Sequence, residues 1–530
     1  MGTLWFGGKI YTLELENDTV EAVYTENGRI IKTGSESELT SKFGAEITNR
    51  TDLKGNVMIP GFVDSHLHMI GHGEKLLRLD LSQAKSAEEM KEMLVEKVKH
   101  TSKDEWVIGE GWNENNFKDR KIFHRVELDE IAPHNPMMLT RVCRHAILAN
   151  SIALKLAGIT DQTPDPEGGV IMRDNDGKAT GYLLDRAQEL VKDAMPEVSL
   201  DFLERALTSS VDDLVSKGVT GGHSEDLNYY GGFKRTYETF INVINGQRKF
   251  RANLLVHHEV IDEMRRQGLG FGDGTNYVEL GAMKIFADGA LGGRTALLSH
   301  PYNDSPDTSG VAIHSIEGLT ELVREARSHD MPVAIHVIGD LALEYAIEAI
   351  EQYPAPYGLR DRLIHTQVMR ADLLERLNHL SVVLDIQPRF VASDFPWVTE
   401  RLGEERMAWS FAWKTLLESG VPIAGGSDAP IEPVDPLLGI HAAVTRKRTD
   451  ENHEGYYPEQ KLSVFEAVSL FTGGSAYAIG REEERGKIKE NFDADFTVLD
   501  RDIFHCNPDL ILHTKAVMTV IDESIEYKNL

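Results

Sequence analysis

The sequence predicts an α/β protein: a (β/α)8 barrel carrying a small β-sandwich-like domain built from both termini and an inserted α+β subdomain. Three observations predict it. Apolar β-like runs alternate with helical patterns through the middle of the chain, β-rich stretches sit at the two ends, and one connection is far longer than the rest.

The β-like runs are VMIPGFVD, GVTGGHSE, RANLLVHHE, LGAMKIFADG, PVAIHVIG, RLIHTQV, SVVLDIQP and VPIAGGSD. Eight parallel strands with helical connections fit a closed barrel, whose usual span is about 250 residues; an open doubly wound sheet has the same pattern. The ends read as short strands: LWFGGKIYTL and TVEAVYTENGRIIKTG, with a hairpin turn at Asn27-Gly28, and GKIKENFDADFTVLDRD and KAVMTVIDESIEYKN. Residues 1–57 plus 484–530 therefore form the terminal domain and 58–483 the barrel. Gly218, just ahead of the second run, lies 150 residues after His68, whereas His365 follows His336 by 29, so an extra unit of about residues 75–200 is inserted after the first strand. The glycine-rich run from Gly268 to Gly274 precedes a strand instead of joining strand to helix, and reads as a loop, not a dinucleotide site.

Composition narrows the function. Hydrophobic residues at 41% and charged residues at 27% suit a folded globular chain. A net charge of −29 repels phosphate backbones and anionic membrane surfaces, so neither nucleic acid nor membrane is an expected partner. The N-terminal stretch has no basic segment followed by a long apolar one, and no run approaches the roughly 20 apolar residues of a membrane span. The two cysteines, Cys143 and Cys506, are too few for a disulfide framework and read as buried thiols, so the expected compartment is the cytoplasm.

The strongest chemical signal is Asp64-Ser65-His66-Leu67-His68 at the end of an apolar run. Alternate strand residues share a face, so His66 and His68 point the same way with Cα atoms about 6.6 Å apart, and two imidazoles can grip one ion. Lys284 interrupts the apolar residues Ala282, Met283, Ile285 and Phe286. A lysine there must snorkel, pair or lose its charge, and it can serve a metal only as a neutral or covalently modified amine. His336 and His365 lie in successive strand-like runs, near the ends where barrel enzymes place their chemistry. Each alone is as readily a hydrogen-bonded core histidine; with His66 and His68 they supply neutral imidazoles around one axis. Asp428 follows an apolar strand and a Gly-Gly-Ser turn. It reads either as a turn or capping residue or as the carboxylate that takes a proton from water and returns it to a leaving group.

Taken in order, PGFVDSHLHM, GEGWNENNF, RHAILANSIALKLAGI, GGVIMRDNDG, MKIFADGALGGRTA, HVIGD, IHTQ, IQP and GGSDAPIEP resemble the amidohydrolase superfamily over nearly the whole chain. They are most similar to its third amidohydrolase family, which includes N-substituted formamide deformylases. The resemblance implies a barrel with the insert capping the active-site mouth. It also implies ligand roles for His66 and His68 from the first strand, carboxylated Lys284 from the fourth, His336 and His365 from the fifth and sixth, and Asp428 from the eighth. Trp112, His145, Asp288 and Gln387 fall in matching motifs and could line the pocket, orient ligands or simply pack. The clearest departure is Asn491, where relatives often have glycine, and it bears on a turn conformation.

The implied activity is hydrolysis of a carbon–nitrogen bond in a small molecule by metal-activated water, with Asp428 as the base. A deaminase or cyclic-amide hydrolase on the same ligands is the alternative, and a non-catalytic scaffold ranks last because no ligand is missing. One or two divalent ions are expected, zinc first; mixed nitrogen and oxygen ligation also admits manganese, iron, cobalt or nickel. A homodimer is expected by analogy only.

Overall fold

A computed structural model describes residues 2–142, 145–166, 168–196 and 198–529; Cys143, expected to be a buried thiol, lies outside the described residues. Among these, the chain forms two compact units, Met1–Gly73 with Leu200–Leu530, and Glu74–Ser199.

The first unit contains eight parallel strands hydrogen-bonded in chain order. They are β1 (Phe62–Leu67), β2 (Val219–Ser224), β3 (Arg251–His257), β4 (Val278–Phe286), β5 (Val333–Val337), β6 (Asp361–His365), β7 (Val382–Ile386) and β8 (Ile423–Gly425). All eight predicted runs are present. The ring is nearly closed, the turn after β8 meeting the end of β1, where Asp428 N–H donates to His66 O and His68 N–H to Ala429 O, both at 2.7 Å.

Amphipathic helices complete the strand–helix repeat. Ile316–Ser328 starts at Ser315, whose hydroxyl accepts the Gly318 N–H, and buries Leu319, Val323 and Ala326 at positions i, i+4 and i+7. Asp340–Gln352 buries Leu343, Ile347 and Ile350 in the same way. Each fully buried Leu, Ile or Val of these faces contributes about 1.5–3 kcal/mol.

The two termini build one mixed sheet, a single hydrogen-bonded ladder and not two separate sheets. The cause is Gly2–Tyr11, whose register shifts between Phe6 and Ile10. Its first half pairs with Ile47–Asp52 and its second with Val57–Pro60. The run VMIPGFVD thus holds two strands: Val57–Pro60 pairs with Phe496–Leu499 in this sheet, and β1 enters the barrel. Gly61 between them tolerates no side chain, since a Cβ would lie 2.4 Å from Thr220 Cγ2. The Asn27-Gly28 turn forms with φ of 53° and 76°, the primed conformation that a two-residue hairpin favours. Asn491 occupies a left-handed position at φ 71°, which asparagine tolerates better than most non-glycine residues. Cys506 is only half-buried, contrary to expectation, because it lies in a surface turn.

The second unit is a six-stranded sheet ordered Gly169–Arg173, Ala179–Asp185, Ala146–Ala149, Met137–Arg141, Val107–Trp112 and Leu79–Asp80. Helix Ala87–Lys99, capped by Ser86, buries Met90 and Leu94. No helix among the described residues is long and apolar enough to cross a membrane.

Candidate metal centre

The C-terminal ends of β1, β4, β5 and β6, with the turn after β8, bring His66, His68, Lys284, His336, His365 and Asp428 together. Asp428 Oδ1 lies 3.6 Å from His66 Nε2 and 3.5 Å from His68 Nε2. Lys284 Nζ is 3.4 Å from His66 Nε2. Ring centroids separate His66 from His365 by 5.6 Å and His336 from His365 by 4.5 Å. One ligand atom each from His66, His68 and Asp428 falls within 4.8 Å of the others, close enough for one ion.

Two of these residues reach the centre through unusual backbone. His365 directly follows Ile364, which packs with Ala282 and Ala334, the residues two before Lys284 and His336. In a continuing strand His365 would face away from that side. Its φ of 77°, followed by 44° at Thr366, breaks the alternation. Asp428 has φ 58°, a conformation open to aspartate at little cost.

The outer nitrogens are held by acceptors, which fixes which nitrogen carries a lone pair inward. His68 Nδ1 meets Glu225 O at 2.6 Å, His365 Nδ1 meets Gln387 Oε1 at 2.6 Å, and His336 Nε2 meets Gly289 O at 3.1 Å. His68 Nε2, His365 Nε2 and His336 Nδ1 are left as donors to a cation. Gln387 Nε2 donates in turn to Asp385 O at 2.9 Å, which sets the amide orientation.

The electrostatics suit a cation. Burial, reinforced by neighbouring positive groups, holds His66 and His336 well below the usual histidine range, and burial also lowers His365. Burial pushes the Lys284 amine down. Burial would raise the Asp428 carboxyl, but the bond to His68 and nearby positive charge, that of His68 included, hold it below the usual range. His68 is the exception: burial opposes its charge, yet Asp428 raises it to about 9, so binding of a cation there would displace a proton. Three neutral imidazoles, a carboxylate and a buried lysine amine form a donor set that fits a divalent ion.

Asp288, one of the weaker candidates, is buried and lies 3.6 Å from His336 Nε2. It accepts backbone N–H groups of Leu297, Ile338 and Gly339 at 2.8–3.0 Å, while burial raises it to about 7. It ties the loop after β4 to the end of β5. Trp112 and His145 belong to the second unit. Trp112 is buried in that unit's core with its indole N–H donating to Leu139 O at 3.0 Å, and exposed His145 pairs with Asp185 at 3.1 Å.

Sequence reasoning passed over several residues that frame the centre. Glu225, fully buried, lies 3.6 Å from His68 Nδ1 and accepts the Tyr229 hydroxyl at 2.8 Å. Below the ligands, Asp385 accepts Arg362 Nε at 3.1 Å, Arg362 Nη2 and the Ser65 hydroxyl, while Arg362 also donates to Ser65 O. The available signal was a lone charge inside an apolar run, the same one that singled out Lys284. Gly426 packs its Cα against β1, where a Cβ would lie 2.5 Å from His66 N and 2.9 Å from His66 O. Gly426→Ala is expected to part the β8–β1 seam, costing about 1–3 kcal/mol and lowering metal content. Wild-type stability and metal load would show that the seam does not set the ligands.

The profile of the amidohydrolase family matches residues 51–527. The chain is 50% identical over 530 residues, the full length of both, to YtcJ of Bacillus subtilis (strain 168), whose own amidohydrolase assignment is provisional. It is 27% identical over 548 residues to an N-substituted formamide deformylase of Arthrobacter pascens, covering 98% of this chain and 97% of that one. Among solved structures, an uncharacterized metal-dependent hydrolase from Pyrococcus horikoshii OT3 matches with a TM-score of 0.79 at 30% identity, over 96% of this chain and 99% of the other. Matched by the family profile over most of its length and by relatives end to end, the chain belongs to the amidohydrolase family, a family of hydrolases.

Proposed function

We propose that this hydrolase cleaves the carbon–nitrogen bond of a small amide or N-substituted formamide, with Asp428 as the proton-transfer group. The observation that carries the reading is the placement of Asp428 Oδ1 within 3.6 Å of both His66 and His68, on a carboxylate held ionised by its neighbours. His66, His68, His336, His365 and Asp428 would hold the ion, zinc being the first choice for imidazole-rich ligation. A bound divalent ion supplies two things, a lowered pKa for water and polarisation of a carbonyl. Asp428 then accepts the proton of the attacking water and hands it to the departing nitrogen, so one carboxylate serves both halves of the reaction.

Lys284 supports carboxylation. Its amine is fully buried, its pKa is pushed down by that burial, and it lies 3.4 Å from His66. A carbamate there would turn a cation into an anionic oxygen ligand. Deamination or cyclic-amide hydrolysis could use the same ligands, and product analysis separates them.

The test is elemental analysis of gently purified protein beside a His66→Ala/His68→Ala variant. One or two ions per chain, lost from the variant together with amide hydrolysis, is the expected result. A wild-type chain that holds no metal and gains no activity on adding any would refute the reading.

A further inference from the structure

The imidazole cluster is walled by aromatic rings from three separate elements. Tyr229, in the loop after β2, sits 6.0 Å from His68 between ring centroids. Phe286, the last residue of β4, lies 5.1 Å from His336, and Phe390, after β7, lies 6.3 Å from His365. Tyr229 is about half-exposed, and Phe286 and Phe390 are half-buried, so ring surface remains to receive a ligand. Two exposed aliphatic residues lie close in the chain to this centre. Ile431, three residues past Asp428, is 64% exposed, and Ile313, whose N–H donates to Ala287 O beside Phe286, is 49% exposed.

Four arginines on neighbouring loops each have an acidic partner, although the buried Nη1 of Arg389 has no hydrogen-bond partner among the described residues. Arg389 pairs with Glu432 at 3.2 Å, Arg294 and Arg401 share Asp304 at 2.8 and 2.6 Å, and Arg370 holds Asp340, Glu344 and Asp372. A substrate carboxylate or phosphate would compete with these carboxylates for the guanidinium groups, in a chain of net charge −29. Glu225, the buried acid nearest His68, is taken up by the Tyr229 hydroxyl. Apolar walls with few polar groups are the ordinary build of a small-molecule pocket, and exposed rings offer edge-to-face contact to another ring.

We infer that the organic group beside the scissile bond is uncharged and apolar, an aromatic or branched aliphatic substituent received by Tyr229, Phe286 and Phe390. This rests on the carbon–nitrogen hydrolase reading above, and it specifies the substrate class of that site.

The experiment compares kcat/KM of the metal-loaded full chain on N-formyl and N-acetyl derivatives of phenethylamine, isobutylamine, β-alanine and ethylenediamine. Calorimetric binding of the same compounds is measured in parallel. The apolar pair is expected to exceed the anionic and cationic ones by about a hundredfold in kcat/KM, the range that pocket complementarity supplies. Phe390→Ala and Tyr229→Ala should each shrink that ratio about tenfold at unchanged metal content, whereas Tyr229→Phe, which keeps the ring, should preserve it. Charged compounds turned over or bound as well as apolar ones, or a ratio untouched by both alanine variants, would overturn the inference. If no amide is hydrolysed, saturable binding confined to the apolar compounds upholds the apolar wall while the carbon–nitrogen reading fails. Absence of that binding overturns both.

Discussion

Asp428→Asn is expected to keep most of the bound metal and lose about 10²–10⁴-fold in kcat, the range that a positioned general acid–base group contributes. The substitution is well matched to the site. Asparagine, like aspartate, tolerates the left-handed backbone at φ 58°, so the turn after β8 and the Asp428 N–H bond to His66 O at 2.7 Å should persist. An amide oxygen can still face His66 and His68, but it cannot take a proton from water. Metal content and kcat measured on the same preparation separate the two roles. Loss of metal together with activity would make Asp428 chiefly a ligand, and undiminished kcat would remove it from the chemistry.

The second large effect is expected at Arg362, which is buried and bound to Asp385 and Ser65 O. Arg362→Met strips a buried carboxylate of its counter-charge and should cost about 3–5 kcal/mol, seen as a lowered denaturant midpoint. Replacing both partners, Arg362→Met with Asp385→Leu, should recover much of that loss, because no uncompensated charge remains inside. The double variant also removes the acceptor of the Ser65 hydroxyl, so recovery is expected to be incomplete. A single variant as stable as wild type would mean that water or rearrangement satisfies Asp385, and that the pair does not hold the layer beneath the ligands.

Much of the architecture was legible because it depends on local pattern. Each barrel strand is a short apolar run, and a strand buried on both faces needs such a run whatever its neighbours are. The candidate ligand types were legible for a related reason: histidine, lysine and aspartate at the end of an apolar strand must be paired, bound or neutral, so their presence there calls for an explanation. The same logic reached Lys284 but was not applied to Arg362 or Asp385, which interrupt RLIH and VVLDIQ just as plainly.

What the sequence by itself determined is the alternation of strands and helices and the chemical kind of each candidate ligand, since these follow from the period and composition of contiguous residues. Tertiary structure alone decided how the pieces meet. It split VMIPGFVD between two sheets, because only the pairing of Val57–Pro60 with Phe496–Leu499 tells one apolar stretch from the next. It also turned His365 inward against strand alternation, through a φ of 77° accompanied by the contact with Gln387 just after β7. Glu225, fully buried against the ring of His68, was selected by a neighbour 157 residues away in the chain. Pattern is a property of neighbours in sequence, whereas register, backbone inversion and charge pairing are set by residues that become neighbours only when the barrel closes.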